Sequence, residues 1–299
     1  MKVRIIASDS MGVRSLATVV ETDEGVVGID LGASLAPRRY GLPPHPVELK
    51  RLEESLEHAR KWIRESDIVV ITHYHYDHYI RDEPELYKGK ILIVKDPKHN
   101  INRNQAIRSY VFLKKLGVEQ IAGEVLIGDG NRFKFGKLSI TVSSPVWHGY
   151  PGSRVGRVLM VLVECCGESM IYTSDVQGPA DPEAVEILSR WGEKRPSVIV
   201  LSGPPTYFAG FKVPLKHVEA GVKGMEEVIV RVRPEVLVVD HHLLRDRYYS
   251  EKISHVVEVA KSRNVRLLTG AEYMGKPLNQ LEAMRRELWE RESGKEEER

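Results

Sequence analysis

The sequence predicts an α/β protein in which two β-sheets pack together with helices outside. Three observations carry this. The first half is rich in short, β-branched apolar runs, and the second half alternates such runs with helical patterns. Runs such as Ile68–Ile71 are apolar throughout, as buried strands are. Metal-ligand side chains recur just past these runs, where α/β architectures place their chemistry.

In chain order, residues 3–7, 16–21 and 26–30 read as strands, with Thr22-Asp23-Glu24-Gly25 turning between the last two. Residues 46–65 have helical periodicity and a charged polar face. Residues 68–72 are a strand, 90–95 another, and 104–116 a helix stopped by Gly117. Five β elements follow, at 124–127, 132–135, 138–142, 158–165 and 169–173. Gly128-Asp129-Gly130, Gly136 and Gly167-Glu168 supply turns between them. Helices at 182–191, 218–231 and 248–263 then alternate with strands at 198–201, 236–239 and 265–268. From Pro277 the tail reads as a charged amphipathic helix that frays near Gly294. There is no fixed-period repeat and no Ser/Gly/Pro-rich linker, so residues 1–299 are expected to form one domain with this helical tail.

The chain has 299 residues, 42% hydrophobic and 29% charged, which suits a soluble globular enzyme with a sizeable core. Net charge is only +2, with Lys and Arg spread along the chain, so composition favours a small-molecule substrate over nucleic acid. No run approaches transmembrane length, and the N-terminal apolar stretch is too short for a signal peptide, so no membrane partner is expected. The two cysteines, Cys165 and Cys166, are adjacent, and a disulfide between them would be strained. This points to a reducing cytoplasm. Both lie in or at the end of an apolar strand and read as packing residues. Abundant Glu, Lys and Arg with little Gln lean toward a thermophilic source.

The densest chemistry lies in Thr72-His73-Tyr74-His75-Tyr76-Asp77-His78, straight after the strand at 68–71. His73 and His75 are two apart and point the same way in extended chain. Asp77 and His78 are adjacent and diverge, so they can serve a second centre. That spacing suits two metal ions sharing one loop better than one closed tetrahedral site. A run of imidazoles plus a carboxylate beside a core strand has no packing rationale. His148, Asp175 and the pair His241-His242 each follow another apolar strand. Singly each is weak; together, four strand ends offering imidazole or carboxylate could meet in one cleft.

These residues carry a resemblance to the metallo-β-lactamase superfamily of metallohydrolases. Asp30, in Val27-Gly28-Ile29-Asp30-Leu31-Gly32, matches its first strand-end motif. His73 to His78 match HxHxDH, and His148, Asp175 and His241 match the third, fourth and fifth motifs. The order and rough spacing match over about residues 1–270. Gly12 to Thr18, Gly203-Pro204-Pro205-Thr206-Tyr207 and Asp240 to Asp246 resemble a mainly archaeal branch. The resemblance implies an αββα sandwich with a dinuclear centre between the sheets. It implies His73, His75 and His148 on the first metal, Asp77, His78 and His241 on the second, and Asp175 bridging. Asp30 would orient a ligand imidazole. Imidazoles and carboxylates without thiolate suit two divalent metals, Zn²⁺ above all, with Mn²⁺ or Fe²⁺ as alternatives. Position 75 is His rather than the Glu of the diiron branch, which favours hydrolysis over oxygen chemistry. His242 is left as an alternative ligand or as a proton shuttle.

Two such metals about 3.5–4 Å apart generate a hydroxide nucleophile near neutral pH and polarise the scissile group. Asp77 would orient that hydroxide. This accounts for the absence of a Gly-x-Ser-x-Gly elbow, a P-loop or a Gly-x-Gly-x-x-Gly loop. The leading expectation is a hydrolase acting on a phosphodiester, lactone or thioester. A ribonuclease Z-like nuclease and a non-catalytic metal-binding protein are the alternatives; β-lactam hydrolysis is not expected.

Other features divide between function and scaffold. Arg14 and Ser15 could contact an anionic substrate or form a plain hairpin loop, and Tyr207 could line the cleft or lie in a proline-set turn. Lys95, Lys98, His99, Arg103 and Arg108 read as a solvated basic face or a substrate cap. Arg245 and Arg247 could aid an anion or cap a helix. His217 is a rival fifth ligand, and His45, His58 and His255 read as exposed.

Overall fold

The computed structural model describes residues 1–297. Its first sheet takes its strands in chain order: β1 (Lys2–Ser8), β2 (Leu16–Thr22), β3 (Gly25–Ile29), β4 (Ile68–Ile71), β5 (Ile91–Val94) and β6 (Glu124–Ile127). Pairing is antiparallel from β1 to β3 and parallel from β3 to β6. β7 (Arg132–Phe135) and β8 (Leu138–Val142) open the second sheet, and β9 (Val146–Trp147) pairs with β10 (Arg157–Val158) as a separate ribbon. β11 (Val161–Cys165), β12 (Glu168–Tyr172), β13 (Val198–Ser202), β14 (Val236–Asp240) and β15 (Arg266–Leu268) complete the second sheet, in the order β15-β14-β13-β12-β11-β8-β7. It too is antiparallel on one side of β12 and parallel on the other.

Alternation along each strand divides its side chains between two cores. In β4, Ile68 and Val70 join the core between the sheets, while Val69 and Ile71 face the core beneath α1 (Pro46–Glu65). α2 (Arg103–Tyr110), continued by a π turn over Val111–Lys115, and α3 (Val118–Ile121) cover the same outer face through Phe112, Leu113 and Val118. In β13, Val198 and Val200 face the first sheet. Ile199 and Leu201 face α4 (Pro182–Trp191) and α5 (Leu215–Val232). α6 (Tyr249–Lys252), α7 (Ser254–Ser262), α8 (Gly270–Tyr273) and α9 (Arg285–Glu297) follow. The layers are therefore helix, sheet, sheet, helix, which is the αββα sandwich.

Three expected elements differ. The strand at 158–165 is broken, because Leu159 N–H donates to the Thr72 carbonyl and Met160 N–H to Ser143 Oγ as the chain passes between ribbon and sheet. The apolar run is continuous there, so periodicity carries no mark of the change of partner. The helix at 248–263 is interrupted at Ile253, which is buried at φ −115°, ψ 19°. The tail helix begins at Arg285, not Pro277, and continues through Gly294 to Glu297. The residues before it are spent on tertiary contacts: Asn279 N–H donates to Ser10, and the Gln280 amide donates to the Leu244 and Asp246 carbonyls.

Arg285 and Glu48 are fully buried and paired at 2.8–3.1 Å, which pins the tail under α1. Arg285→Ala would leave the Glu48 carboxylate buried without its counter-charge. The expected cost is about 3–5 kcal/mol, read as a lower denaturation midpoint. His45, expected to be exposed, is buried as the N-cap of α1, where its Nδ1 accepts from Val47 N–H and its own N–H donates to Glu48.

Candidate metal centre

Five strand ends meet at one edge of the sandwich. β3 delivers Asp30, β4 delivers Thr72 to His78, β9 delivers His148, β12 delivers Ser174 and Asp175, and β14 delivers His241 and His242. Asp30, Ser174 and His241 have φ of 49°, 54° and 57°, left-handed values at non-glycine residues. Each costs of order 1–3 kcal/mol and re-aims the chain as it leaves its strand. Gly32 is needed for a different reason: a Cβ there would lie 2.2 Å from the Tyr79 backbone nitrogen.

The cluster focuses on Asp175. Its Oδ2 lies 3.8 Å from His73 Nε2, 3.4 Å from His78 Nε2, 3.1 Å from His148 Nε2, 3.3 Å from His241 Nε2 and 3.1 Å from His242 Nε2. His75 Nδ1 is 3.1 Å from His73 Nε2, and Asp77 Oδ2 is 3.6 Å from His241 Nε2. Two adjoining groups of metal-ligand atoms result: His73, His75, His148 and Asp175, and Asp77, His78 and His241. Asp30 also groups with His73 and His78, and Asp175 with His241 and His242.

Neighbours of the rings determine which nitrogen each presents. Asp30, wholly buried, accepts from Thr72 N–H (2.8 Å), Thr72 Oγ1 (2.6 Å), His78 Nδ1 (2.9 Å) and Tyr172 O–H (2.9 Å). The Thr72 hydroxyl directs its one hydrogen at Asp30, so its Oγ1 accepts from His73 Nδ1 at 3.1 Å. His241 Nδ1 donates to Asp9 Oδ2 at 2.7 Å. His73, His78 and His241 thus turn Nε2 toward Asp175. His242 is arranged oppositely. Arg245 can only donate, and its Nη1 lies 3.1 Å from His242 Nδ1. The one proton of neutral His242 therefore sits on Nε2, facing Asp175.

Electrostatics agree with an ionised centre. Burial pushes the Asp175 carboxyl up, but His241 and His78 outweigh it and hold it well below the usual carboxylate range. Burial lowers His241, yet Asp175 prevails and raises it to about 9. Burial and the neighbouring His148 push His75 down to about 3. The carboxylates likewise raise His78 well above the usual imidazole range, so they draw positive charge to the spot where a divalent cation would sit.

A relative from Aeropyrum pernix is 50% identical over 98% of this chain and 100% of its own length. The chain belongs to the UPF0282 protein family. Further UPF0282 relatives are archaeal too: one from Korarchaeum cryptofilum is 41% identical over 97% of this chain and 95% of its own, and one from Pyrococcus horikoshii is 39% identical over 99% and 95%. No family model matches the chain. Among solved structures, unliganded yeast PDE1 is similar at a TM-score of 0.55 with 12% identity, covering 90% of this chain and 97% of that one. The isothiocyanate hydrolase from Delia radicum gut bacteria reaches 0.50 with 15% identity, covering 87% and 94%. This UPF0282 chain has the metallo-β-lactamase fold.

In the UPF0282 structure a cleft of about 1450 Å³ opens over the cluster. Arg14, Tyr207, His242 and Arg245 line it. Ser15 does not: it is buried and donates to the Gly32 carbonyl at 2.6 Å. Arg14 is held by Glu282 at 2.6 and 2.7 Å. Arg245 is buried against Asp9 at 2.8 Å rather than capping a helix. Of the basic stretch, Lys95 is buried and paired with Asp129 at 2.6 Å, while Arg108 reaches the cleft and lies over Tyr76. His217 stacks on Tyr150 and is not among the metal-ligand groups. His58 and His255 are exposed. Cys165 is buried, Cys166 exposed, and both are free thiols. No described helix is long and apolar enough to cross a membrane.

Asp9 is the residue missed by sequence reasoning. It belongs to no ligand motif, but it follows β1 immediately, as Asp30 follows β3, and that shared position was the available signal. Burial pushes its carboxyl up, and Arg245 and His241 outweigh this and hold it below the usual range.

Proposed function

We propose that this protein is a metal-dependent hydrolase that cleaves an ester-like bond, a phosphodiester, lactone or thioester. One observation carries the reading: Asp175 Oδ1, His78 Nε2 and His148 Nε2 are buried without a hydrogen-bond partner, around a carboxylate oxygen within 3.8 Å of five imidazoles. Buried polar atoms are rarely left unmet, and these are the donor types that hold divalent transition metals. His73, His75 and His148 would hold one ion, Asp77, His78 and His241 a second, with Asp175 shared; zinc suits this set, as do manganese and iron. Bound there, the ions lower the pKa of water toward neutrality and polarise the scissile group.

The chain's own side chains supply the rest. Asp77 is 17% exposed at its side chain, faces the cleft and is placed to orient the attacking water. His242 holds its proton on Nε2 at the cleft wall, where the neutral ring can donate a hydrogen bond to the oxygen that gains charge as the bond breaks. Arg245 keeps that proton there by occupying Nδ1. Asp30 and Asp9 fix ring orientations, Asp30 reaching His73 through Thr72.

Asp77→Asn keeps the side chain's shape and removes its charge. Metal content should persist while turnover of bis(p-nitrophenyl) phosphate falls about 10²–10⁴-fold. Full activity of the variant would remove Asp77 from the mechanism. A metal-loaded wild type inert toward diesters, lactones and thioesters alike would overturn the hydrolase reading.

A further inference from the structure

The cleft is larger and more cationic than a small ester requires. Its volume of about 1450 Å³ exceeds the roughly 300–1,000 Å³ of small-molecule pockets. Asp77 and Asp175 are the only carboxylates among its lining residues, and both lie against the histidine cluster. Against them stand seven cationic side chains. Glu282 or Asp9 engages Arg14, Arg39 and Arg245. Arg38, Arg108, Arg154 and Lys212 have no carboxylate partner among the described residues. The overall charge of +2 therefore conceals a concentrated basic site.

Aromatic rings interleave with these cations. The Arg39 guanidinium lies over both the Tyr40 and the Tyr207 ring, 4.8 and 4.5 Å from their centroids. Arg108 lies 4.3 Å over Tyr76, and Lys212 4.8 Å over Phe208. Tyr40, Tyr76 and Phe211 are 47%, 39% and 81% exposed at the cleft; Arg286 and Arg81 also lie over Tyr40 and Tyr76, at 5.0 and 4.8 Å, so Phe211 offers the most open ring. Cations that track a backbone, alternating with exposed ring faces, form the arrangement that holds unpaired nucleotides. A duplex would keep its base faces stacked and out of reach of those rings.

We propose that the cleft binds single-stranded nucleic acid, phosphates on Arg38, Arg108, Arg154 and Lys212, with a base stacked on Phe211 and neighbouring bases against the arginine-covered rings of Tyr40 and Tyr76. The bond cleaved is then an internucleotide phosphodiester, a step that rests on the hydrolase reading, whereas strand binding does not. In that step water's oxygen forms the new P–O bond and the P–O bond to the departing sugar oxygen breaks. One proton of water goes to that oxygen and the other to solvent, with no change of oxidation state.

The test is fluorescence anisotropy of a labelled ten-nucleotide single-stranded RNA with the full-length, metal-loaded Asp77→Asn protein. Saturable binding is expected, with a slope of log affinity against log salt near −3, from about four phosphates at about 0.7 each. Phe211→Ala, at an exposed position, should weaken binding about 5- to 150-fold. Arg154→Ala should reduce the slope by about 0.7. Absence of binding at low salt overturns the proposal. So does equal affinity for a ten-base-pair duplex or for inorganic polyphosphate, or indifference to Phe211→Ala. If the strand fails to bind while wild type still cleaves bis(p-nitrophenyl) phosphate, this proposal falls and the hydrolase reading stands. If the strand binds but wild type cleaves neither it nor the surrogate, the binding site stands and the hydrolase reading falls.

Discussion

Asp175→Asn is expected to strip the protein of metal and to reduce hydrolysis by more than the about 10²–10⁴-fold attributed to an orienting group. The residue is buried, and its Oδ2 lies within 3.8 Å of five imidazole nitrogens. An amide has nearly the same shape but no charge, so it cannot offset repulsion between two dications. It also brings N–H donors to a place where His242 already presents a proton. The loss should appear in elemental analysis before any activity assay, and supplementing the variant with zinc or manganese should not restore the second ion. A variant with wild-type metal content and turnover would mean that Asp175 does not bridge.

The second large effect separates two adjacent histidines. His241→Ala should remove metal, chiefly from the group formed with Asp77 and His78, whereas His242→Ala should keep its metal and lose turnover. The difference rests on partners, not sequence position: Asp9 takes the Nδ1 proton of His241, and Arg245 donates to Nδ1 of His242. Asp9→Asn provides a graded version, expected to weaken metal affinity about 10- to 100-fold while His241 remains. Metal retention in His241→Ala with metal loss in His242→Ala would reverse the two roles.

The candidate site was more legible in the sequence than its surroundings. Six imidazoles and three carboxylates follow apolar runs, and strands in such sheets end at one edge, so convergence was readable from order alone. Asp9 was not, because a lone acid after a strand resembles any turn residue until β1 is placed beside β14's exit through the Asp9–His241 contact. Ser15 shows the converse: alternation places it beside Arg14, but its hydroxyl is consumed by the Gly32 carbonyl. The basic cleft was invisible for a different reason. Arg14, Arg39, Arg108, Arg154 and Lys212 are scattered over the chain, and only the closing of loops around the metal-ligand cluster brings them together. Glu282 and Arg285 read as tail charges, yet they tie the C-terminal segment to Arg14 and Glu48 because residues 279–285 pack beneath the cleft instead of continuing a helix.

Metal content tests the central claim most directly. Protein purified without chelator, reloaded with zinc or manganese and freed of excess ion, should carry two transition-metal ions per chain by elemental analysis. Seven side chains, His73, His75, Asp77, His78, His148, Asp175 and His241, offer more donors than one tetrahedral ion takes. A stable value near one, unmoved by added zinc or manganese, would contradict a dinuclear centre.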